Sequence, residues 1–135
     1  MLDAAFRMLA GRAHSRAELR LKLRRRGYDA EDVESTLTRM EQLGYLDDAA
    51  YARALTARRA GERGRRAIAA ELASKGLSRE VIVEALADVG EEQEVAAAGR
   101  LLSRRSGAEA PEKTLARLAR RGFSRDVIAK ARRIS

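Results

Sequence analysis

The chain has 135 residues, enough for one domain or a short helical array, and it carries a net charge of +8 with no cysteine. Disulfides, thiolate nucleophiles and cysteine metal sites are therefore excluded, and the charge favours an anionic partner such as nucleic acid, an acidic protein groove or a membrane surface. Aromatic residues make up only 4% of the sequence and tryptophan is absent, so a core must consist of Leu, Ala, Val and Ile. This composition predicts helices and gives no support to a sheet.

Targeting segments are not evident in the sequence. No apolar run approaches the roughly 20 residues that span a bilayer. The first six residues lack the basic start and long apolar stretch of a signal peptide. We therefore expect a cytoplasmic protein with no membrane partner.

The first half of the chain contains four predicted helices. The first covers about residues 3–11. A capping box opens the second at Ser15, and this helix ends near Arg26. The third ends at Gly44, and Asp47 caps the fourth.

The second half continues in the same way. Gly64 precedes a helix, and Gly90 opens another whose first turn is acidic, which suits the positive end of the helix dipole. Residues 106–107 are predicted to end that helix, and Pro111 fits the first turn of the next. We predict about nine helices in total.

Three segments of the sequence resemble one another when they are aligned on a glycine. The glycines are Gly27, Gly76 and Gly122, at intervals of 49 and 46 residues. A basic residue directly precedes each glycine, and a residue able to cap a helix lies two positions after it. Because a left-handed glycine commonly ends a helix, each segment predicts a tight helix–turn–helix joint. A period of this length is typical of a helical repeat.

The predicted fold is all-α, with tandem three-helix repeats forming an elongated, curved array. The glycine period places a partial unit at 1–13, repeats at 14–61 and 62–110, and a partial third repeat at 111–135, all within a single domain. Such an array exposes one long face. That face suits binding to a filament or groove better than enclosing a substrate.

Charge alternates along the sequence. Residues 12–28 hold seven basic groups and one acid, and residues 112–133 hold eight basic groups and two acids. By contrast, residues 29–48 hold seven acids and one base, and residues 84–94 hold five acids and no base. Each predicted repeat therefore begins with a basic helix and continues with acidic ones.

We predict that basic residues form a discontinuous strip that binds the partner. Arg16, Arg20 and Arg24 recur at every fourth position and so share one helix face. The predicted strip consists of Arg16, Arg20, Arg24, Arg25, Arg26, Arg63, Arg65, Arg66, Lys75, Arg117, Arg120, Arg121 and Arg125. The alternative is that the basic helices simply pair with their acidic neighbours and that single arginines are solvated.

Residues for catalysis are missing from the sequence. His14 is the only histidine, and beside a helix N-cap it is best explained as structural or solvated. The glycines do not have the spacing of a phosphate-binding loop. We therefore predict no enzyme activity, metal or cofactor. The few aromatic residues lie at turns or on apolar stripes, which argues against a single-strand DNA binder that stacks bases.

Four blocks of the sequence resemble the RecX family, in the family's order. The blocks are residues 12–19 with Leu23, residues 44–48 with Tyr51 and Ala52, Ile68 with Glu71, Leu72, Lys75 and Gly76, and residues 120–124 with residues 126–128. One block alone would be a weak match, but four in register are specific. The residues that we expect to determine the fold in these motifs are Gly27, Gly44, Tyr45, Leu46, Asp47, Asp48, Tyr51, Gly76 and Gly122.

The resemblance implies tandem three-helix repeats and a role in recombination, DNA repair and the SOS response. It implies binding in the groove of a RecA filament on single-stranded DNA, with suppression of ATP hydrolysis, strand exchange and repressor cleavage. We expect a monomer with at most weak direct DNA contact. The alternative is a non-specific DNA-binding helical protein that acts by competing for DNA, although the acidic half of each repeat would repel DNA.

Overall fold

The computed structural model describes residues 1–104 and 110–134, and within these ranges all regular structure is helical. The helices are α1 (Leu2–Gly11), α2 (Arg16–Arg25), α3 (Ala30–Gln42), α4 (Asp48–Arg59), α5 (Arg65–Ser74), α6 (Arg79–Leu86), α7 (Glu91–Ser103), α8 (Pro111–Arg120) and α9 (Arg125–Arg133). The all-α class is confirmed. The helix end predicted at residues 106–107 lies outside the described residues.

Helix starts follow the predicted capping chemistry. The side chains of five N-cap residues accept a backbone N–H from the first turn of their helix, and these are Ser15, Asp29, Asp47, Ser78 and Ser124. Ser15 and Glu18 complete a capping box at the start of α2. Pro111 occupies the first turn of α8.

Four glycines end helices in the left-handed conformation. Gly27, Gly44, Gly76 and Gly122 have φ values of 94°, 82°, 79° and 95°. At each turn the N–H of the residue after the glycine bonds back to the last helical turn, as from Tyr28 to the Leu23 carbonyl at 3.4 Å. This is the Schellman pattern, in which a side chain with a Cβ would be strained.

Each consecutive group of three helices has its own apolar core. The first core comprises Ala4, Ala5, Leu19, Leu23, Val33, Leu37, Met40 and Leu46. The second comprises Ala52, Leu55, Ile68, Leu72, Leu77, Ala85 and Leu86. The third comprises Ala97, Ala98, Leu101, Leu118, Phe123, Val127, Ile128 and Ala131. We call these groups the first unit (α1–α3), second unit (α4–α6) and third unit (α7–α9).

The cores divide the chain at places other than the boundaries expected from the glycines. Helix α1 packs on α2 and contributes to the same core as α2 and α3. It is therefore the first helix of a three-helix unit, and not the partial unit that the glycine period indicates. The third unit likewise has three helices. The glycine spacing gives the length of the repeat, but each glycine lies between the second and third helices and so does not mark a boundary. Single-domain behaviour and the curvature of the array stay predictions.

The joint between the first two units centres on the start of α2. The Ser15 hydroxyl donates to the Lys75 carbonyl at 2.6 Å, and the Arg16 N–H donates to Asp48 Oδ1 at 2.8 Å. A Cβ on Gly76 would lie 2.3 Å from the Cβ of Ala17, so only glycine fits there. The first turn of α2 therefore sits directly on the glycine turn of the second unit.

The joint between the second and third units repeats this arrangement at the start of α5. The Gly64 N–H donates to the Arg121 carbonyl at 2.9 Å, and the Arg65 N–H donates to Glu94 Oε2 at 2.9 Å. A Cβ on Gly122 would lie 2.4 Å from the Cβ of Ala67. One contact scheme thus connects all three units, as nearest-neighbour packing in a repeat array requires.

Replacing Ser15 with alanine tests the first joint. Ser15→Ala removes the hydroxyl that accepts the Glu18 N–H at the helix N-cap, and it leaves the Lys75 carbonyl without its donor. We therefore expect the free energy of unfolding to fall by about 2 kcal/mol. Ser78→Ala is the control, since Ser78 caps α6 without bridging units, and about 1 kcal/mol is expected there. Equal losses in urea unfolding of the two variants would show that the bridge contributes nothing.

No helix in the described part of the chain is long and apolar enough to cross a membrane. The same residues contain no group of three or more His, Asp or Glu side chains arranged to hold a metal ion.

Candidate partner-binding surface

The predicted strip begins on α2, where two of its arginines face the acidic helix α3. Arg20 makes a two-pronged ion pair with Glu34, at 2.6 Å from Nε and 3.0 Å from Nη2. Arg16 contacts Glu34 at 3.3 Å and also pairs with Glu41. These guanidinium groups are committed to contacts within the first unit. For Arg16 and Arg20, pairing with acidic neighbours therefore replaces the predicted free strip.

The electrostatics of Glu34 reflect this pairing. The hydrogen bond from Arg20, with a further one from Arg16, lowers the pKa of Glu34 from 4.5 to about 2. Its side chain is still 47% exposed, so solvent screens the pair. An exposed pair of this kind contributes less than about 1 kcal/mol to stability. Its main consequence is to neutralise part of the α2 surface.

In the second unit, too, some residues of the predicted strip are held by contacts within the fold. Arg63 joins Arg59 on the carboxylate of Glu71, at 3.1 Å from Glu71 Oε1. Arg65 donates to the carbonyls of Leu86 and Val89 at the end of α6. These two side chains stabilise the fold.

The remaining strip residues of that unit differ from each other. The Lys75 ammonium lies 3.9 Å from Glu18 across the first joint. Arg66 is exposed and makes no ion pair with any described residue.

In the third unit, the strip residues lie on or beside α8. Arg121 donates to the Glu62 carbonyl at 3.2 Å, across the second joint. Arg117 is half-buried, with Nε and Nη2 shielded from solvent. Arg120 and Arg125 are exposed. The sequence grouped all four as equivalent, whereas their burial separates two outward side chains from two inward ones.

Six strip residues remain available to a partner. They are exposed and pair with no carboxylate in the described ranges. We call them the basic surface set: Arg24, Arg25, Arg26, Arg66, Arg120 and Arg125. Of these, Arg24 bonds only to the Tyr28 carbonyl, at 2.9 Å. The first three form a continuous cluster at the end of α2, which is the densest exposed basic group of the predicted strip.

The motif around Gly44 links the first two units. Leu46 is buried in the first core, Asp47 caps α4, and Asp48 receives the Arg16 N–H across the joint. Tyr45 is 57% exposed and contacts Phe6 edge to face, with ring centroids 5.0 Å apart. Tyr45 is therefore less buried than a core position would be.

Tyr51 and Glu18 meet at this same junction. Burial opposes ionisation of Glu18, but the Ser15 N–H and the Tyr51 hydroxyl bond to the carboxylate, and the net result is a lowered Glu18 pKa. Burial and the adjacent Glu18 raise the pKa of Tyr51. The motif is thus a structural junction that holds a charged carboxylate between units.

His14 is buried beside this junction, with 3% of its surface exposed. Its Nδ1 lies 2.9 Å from the Arg12 carbonyl, and its Nε2 lies 2.7 Å from the Lys22 ammonium. These partners fit a neutral ring that donates from Nδ1 and accepts at Nε2. Burial lowers the pKa of His14 below its usual 6.5. The hydrogen bond with the Arg12 carbonyl opposes this shift, while the positive charges of Arg12 and Lys22 add to it, and the net pKa stays lowered. This confirms a structural position for the only histidine.

The lowered His14 pKa predicts a loss of stability in mild acid. Unfolded chains bind a proton as the pH falls through 6.5, while the folded chain resists it, so stability decreases between about pH 7 and pH 5. Urea unfolding of the wild type and His14→Gln at pH 7.5 and 5.5 measures this. The wild type should lose stability across the interval and the variant should lose less. The same pH slope in both would contradict the assignment.

The roles of the residues that build the two joints were not predicted from the sequence. Asp48 and Glu94 accept equivalent N–H groups although one begins α4 and the other lies within the first turn of α7. They are 46 residues apart, as are Gly76 and Gly122, so extending the repeat from the glycines to the acids could have found them. Glu34 and Glu71 are a different case, because only the packing of α2 on α3 and of α4 on α5 reveals which arginines they neutralise.

The fold and this surface define a class: a three-unit helical repeat protein whose exposed basic residues form its candidate interface. Two family models match the chain, namely RecX, first three-helix domain, over residues 2–40, and RecX, second three-helix domain, over residues 47–86. These ranges coincide with the first and second units. The chain belongs to the RecX family.

Relatives in sequence agree with this assignment. The chain is 46% identical over 87 residues to the regulatory protein RecX of Chlorobaculum tepidum, covering 63% of this chain and 54% of that protein. It is 45% identical over 92 residues to the regulatory protein RecX of Thermus thermophilus, covering 68% of this chain and 64% of that protein. The matches thus span between about half and two thirds of these curated relatives.

The fold is also similar to solved structures. A crystal structure of RecX from Lactobacillus salivarius aligns with a TM-score of 0.87 at 21% identity, covering 98% of this chain and 92% of that chain. A second, of regulatory protein RecX, gives 0.86 at 22% identity. These likenesses include α7–α9 and support the same three-unit fold.

Proposed function

We propose that this chain is a non-enzymatic negative modulator of the RecA recombinase. It binds in the groove of the RecA filament on single-stranded DNA and suppresses ATP hydrolysis, strand exchange and coprotease activity. Membership of the RecX family supports this function. We further propose that it acts in the cytoplasm as a monomer and needs no cofactor.

The observation that carries the proposal is the separation of basic residues into paired and exposed groups. Acidic helices neutralise the start of α2, while Arg24, Arg25 and Arg26 remain exposed at its end. Arg66, Arg120 and Arg125 repeat this exposure on the later units. A partner with acidic groups spaced along a groove could contact several of these sites at once, and each added site increases avidity.

Non-specific DNA binding is the competing function, since the same arginines could neutralise phosphates. The two are separated by comparing labelled single-stranded DNA with the same DNA coated by the recombinase, using fluorescence anisotropy or sedimentation at fixed salt. We expect tighter binding to the coated DNA. Tighter binding to naked DNA, with a steep salt dependence, would contradict the proposal and favour competition for DNA.

A further inference from the structure

A groove lies between α8 and α9 on a solvent-exposed face of the third unit. Its volume is about 390 Å³, and its apolar lining consists of Leu115, Ala116, Ala119, Ile128 and Ala129. All three alanines are exposed. Arg125 and Arg132 also line the groove, and no carboxylate of a described residue does. The groove thus combines an apolar floor with two cationic side chains.

The first two units have other side chains at the same place. When the units are aligned on their glycines, Leu115 and Ala129 correspond to Arg20 and Glu34, whose ion pair at 2.6 Å joins α2 to α3. In the second unit, Val83 takes the place of Ala129. The Glu34 side chain is 47% exposed and Val83 is 60% exposed, so this face meets solvent in the two units that other units follow. The groove is therefore open because of its own small residues.

Arg132 departs from the repeat near the end of α9. The corresponding residues are Leu37 and Leu86, which are buried in the first and second cores. Arg132 is exposed, and neither it nor Arg125 pairs with a carboxylate in the part of the chain that the structure describes. Because the two arginines are seven residues apart, they share one face of α9 and lie about 10 Å apart along it. The apolar residues of α9 that line the groove lie between them.

We propose that this groove binds an acidic amphipathic helix of the partner protein. That helix packs apolar side chains on the alanines of the groove, and two of its carboxylates contact Arg125 and Arg132. The spacing of the arginines requires acids at positions i and i+7 with apolar residues at i+3 and i+4, which is the helix-in-groove mode of recognition. Only the partner's identity, the recombinase, rests on the proposed function.

The chemistry of the groove favours a protein over a nucleic acid. Phosphates could pair with the two arginines, but the apolar floor offers no donor or acceptor side chain to a sugar or base. It also has no aromatic ring on which a base could stack. A protein segment with apolar side chains between two carboxylates matches both parts of the groove, because burial of apolar surface and ion pairing then act together.

A second copy of this chain is a poor occupant. The chain has a net charge of +8, so two copies repel each other. On the helices of the first two units, Val83 is the most exposed large apolar side chain. Arg79 lies one turn before it on the same face and would approach the arginines of the groove. Charge complementarity therefore favours a different, acidic protein.

A synthetic peptide tests the groove without the recombinase. The probe is a fluorescent alanine-based helix with two glutamates seven residues apart and with leucines three and four residues after the first glutamate. A second peptide has lysines in place of the glutamates. In fluorescence anisotropy at fixed salt, we expect the chain to bind the glutamate peptide at least about tenfold more tightly. Equal binding of the two peptides would overturn the proposal.

Two matched variants separate the groove from general charge. Ala119→Gln with Ala129→Gln fills the groove, and Ala73→Gln with Val83→Gln changes the same repeat positions in the second unit. All four residues are exposed and glutamine is a good helix former, so both variants should fold and keep the wild-type net charge. We expect the groove variant to bind the glutamate peptide about tenfold more weakly and the control to bind it as the wild type does. Equal binding by the two variants would contradict the proposal.

The same variants connect the groove to the proposed function. On recombinase filaments, half-maximal inhibition by the groove variant should need about tenfold more protein, with the control unchanged. Equal inhibition by the two variants, with an active wild type, would overturn the proposal while leaving the proposed function intact. An inactive wild type would overturn the proposed function, and the peptide experiment would then decide the groove alone. Self-association of the wild type in analytical ultracentrifugation, lost in the groove variant, would identify a second copy as the occupant and overturn the proposal.

Discussion

Neutralising the arginine cluster at the end of α2 should weaken inhibition of the recombinase filament about thirtyfold. The change is Arg24→Gln, Arg25→Gln and Arg26→Gln in one chain. All three side chains are exposed and pair with no carboxylate in the described ranges, so their loss leaves the packing of the first unit unchanged. An exposed ionic contact of this kind contributes about 0.7 kcal/mol, so three lost together amount to about 2 kcal/mol, which is a factor of about thirty.

The matched control removes the same charge from another place. Arg39, Arg53 and Arg58 lie on α3 and α4, are exposed, and are outside the basic surface set. Their triple glutamine variant has the same net charge as the test variant. Half-maximal inhibition at fixed salt should shift only for the α2 variant, with helicity by circular dichroism unchanged in both. Similar losses in both variants would mean that general charge, and not this cluster, governs binding.

Replacing Gly64 with alanine should cost about 3 kcal/mol of unfolding free energy. The added Cβ would lie 2.3 Å from the Gly122 oxygen, 2.5 Å from its carbonyl carbon and 2.7 Å from the Phe123 nitrogen. All three atoms belong to the backbone and cannot rotate away as a side chain could. The joint between the second and third units must therefore open or the variant must unfold.

Gly90→Ala is the control for this prediction. Gly90 is also an N-cap, with φ −83° and ψ 170° against −82° and 168° at Gly64. Its added Cβ would meet only the flexible Gln93 side chain. We expect a loss below about 1 kcal/mol, the usual preference for Gly over Ala at a cap. Thermal unfolding that gives equal losses for the two variants would contradict the joint described above.

Local rules predicted most of the helix boundaries. Gly27, Gly76 and Gly122 end helices because of their left-handed backbone, and Ser15 and Asp47 begin them because their side chains accept an N–H. Such signals depend on a few neighbouring residues. The grouping of helices into units depends on which apolar faces meet, and a glycine between the second and third helices contains no information on that.

The candidate surface was less predictable for a related reason. Arg20 and Arg24 share one face of α2, yet Arg20 reaches Glu34 on α3 while Arg24 points past it. The sequence offers both arginines the same acidic neighbour. Which arginine pairs with Glu34 depends on which part of α2 packs beside that residue of α3. Arg117 is similar, since its partial burial depends on how α8 lies against the rest of its unit.

The measurement that tests the central claim most directly is the single-stranded-DNA-dependent ATPase of the cognate RecA, titrated with this protein on preformed filaments at fixed salt and with DNA in excess. The proposed function predicts inhibition at amounts well below one protein per DNA-binding site, and no relief when more DNA is added. No inhibition, or inhibition that disappears on adding DNA, would contradict action on the filament and leave the RecX assignment as a statement about fold.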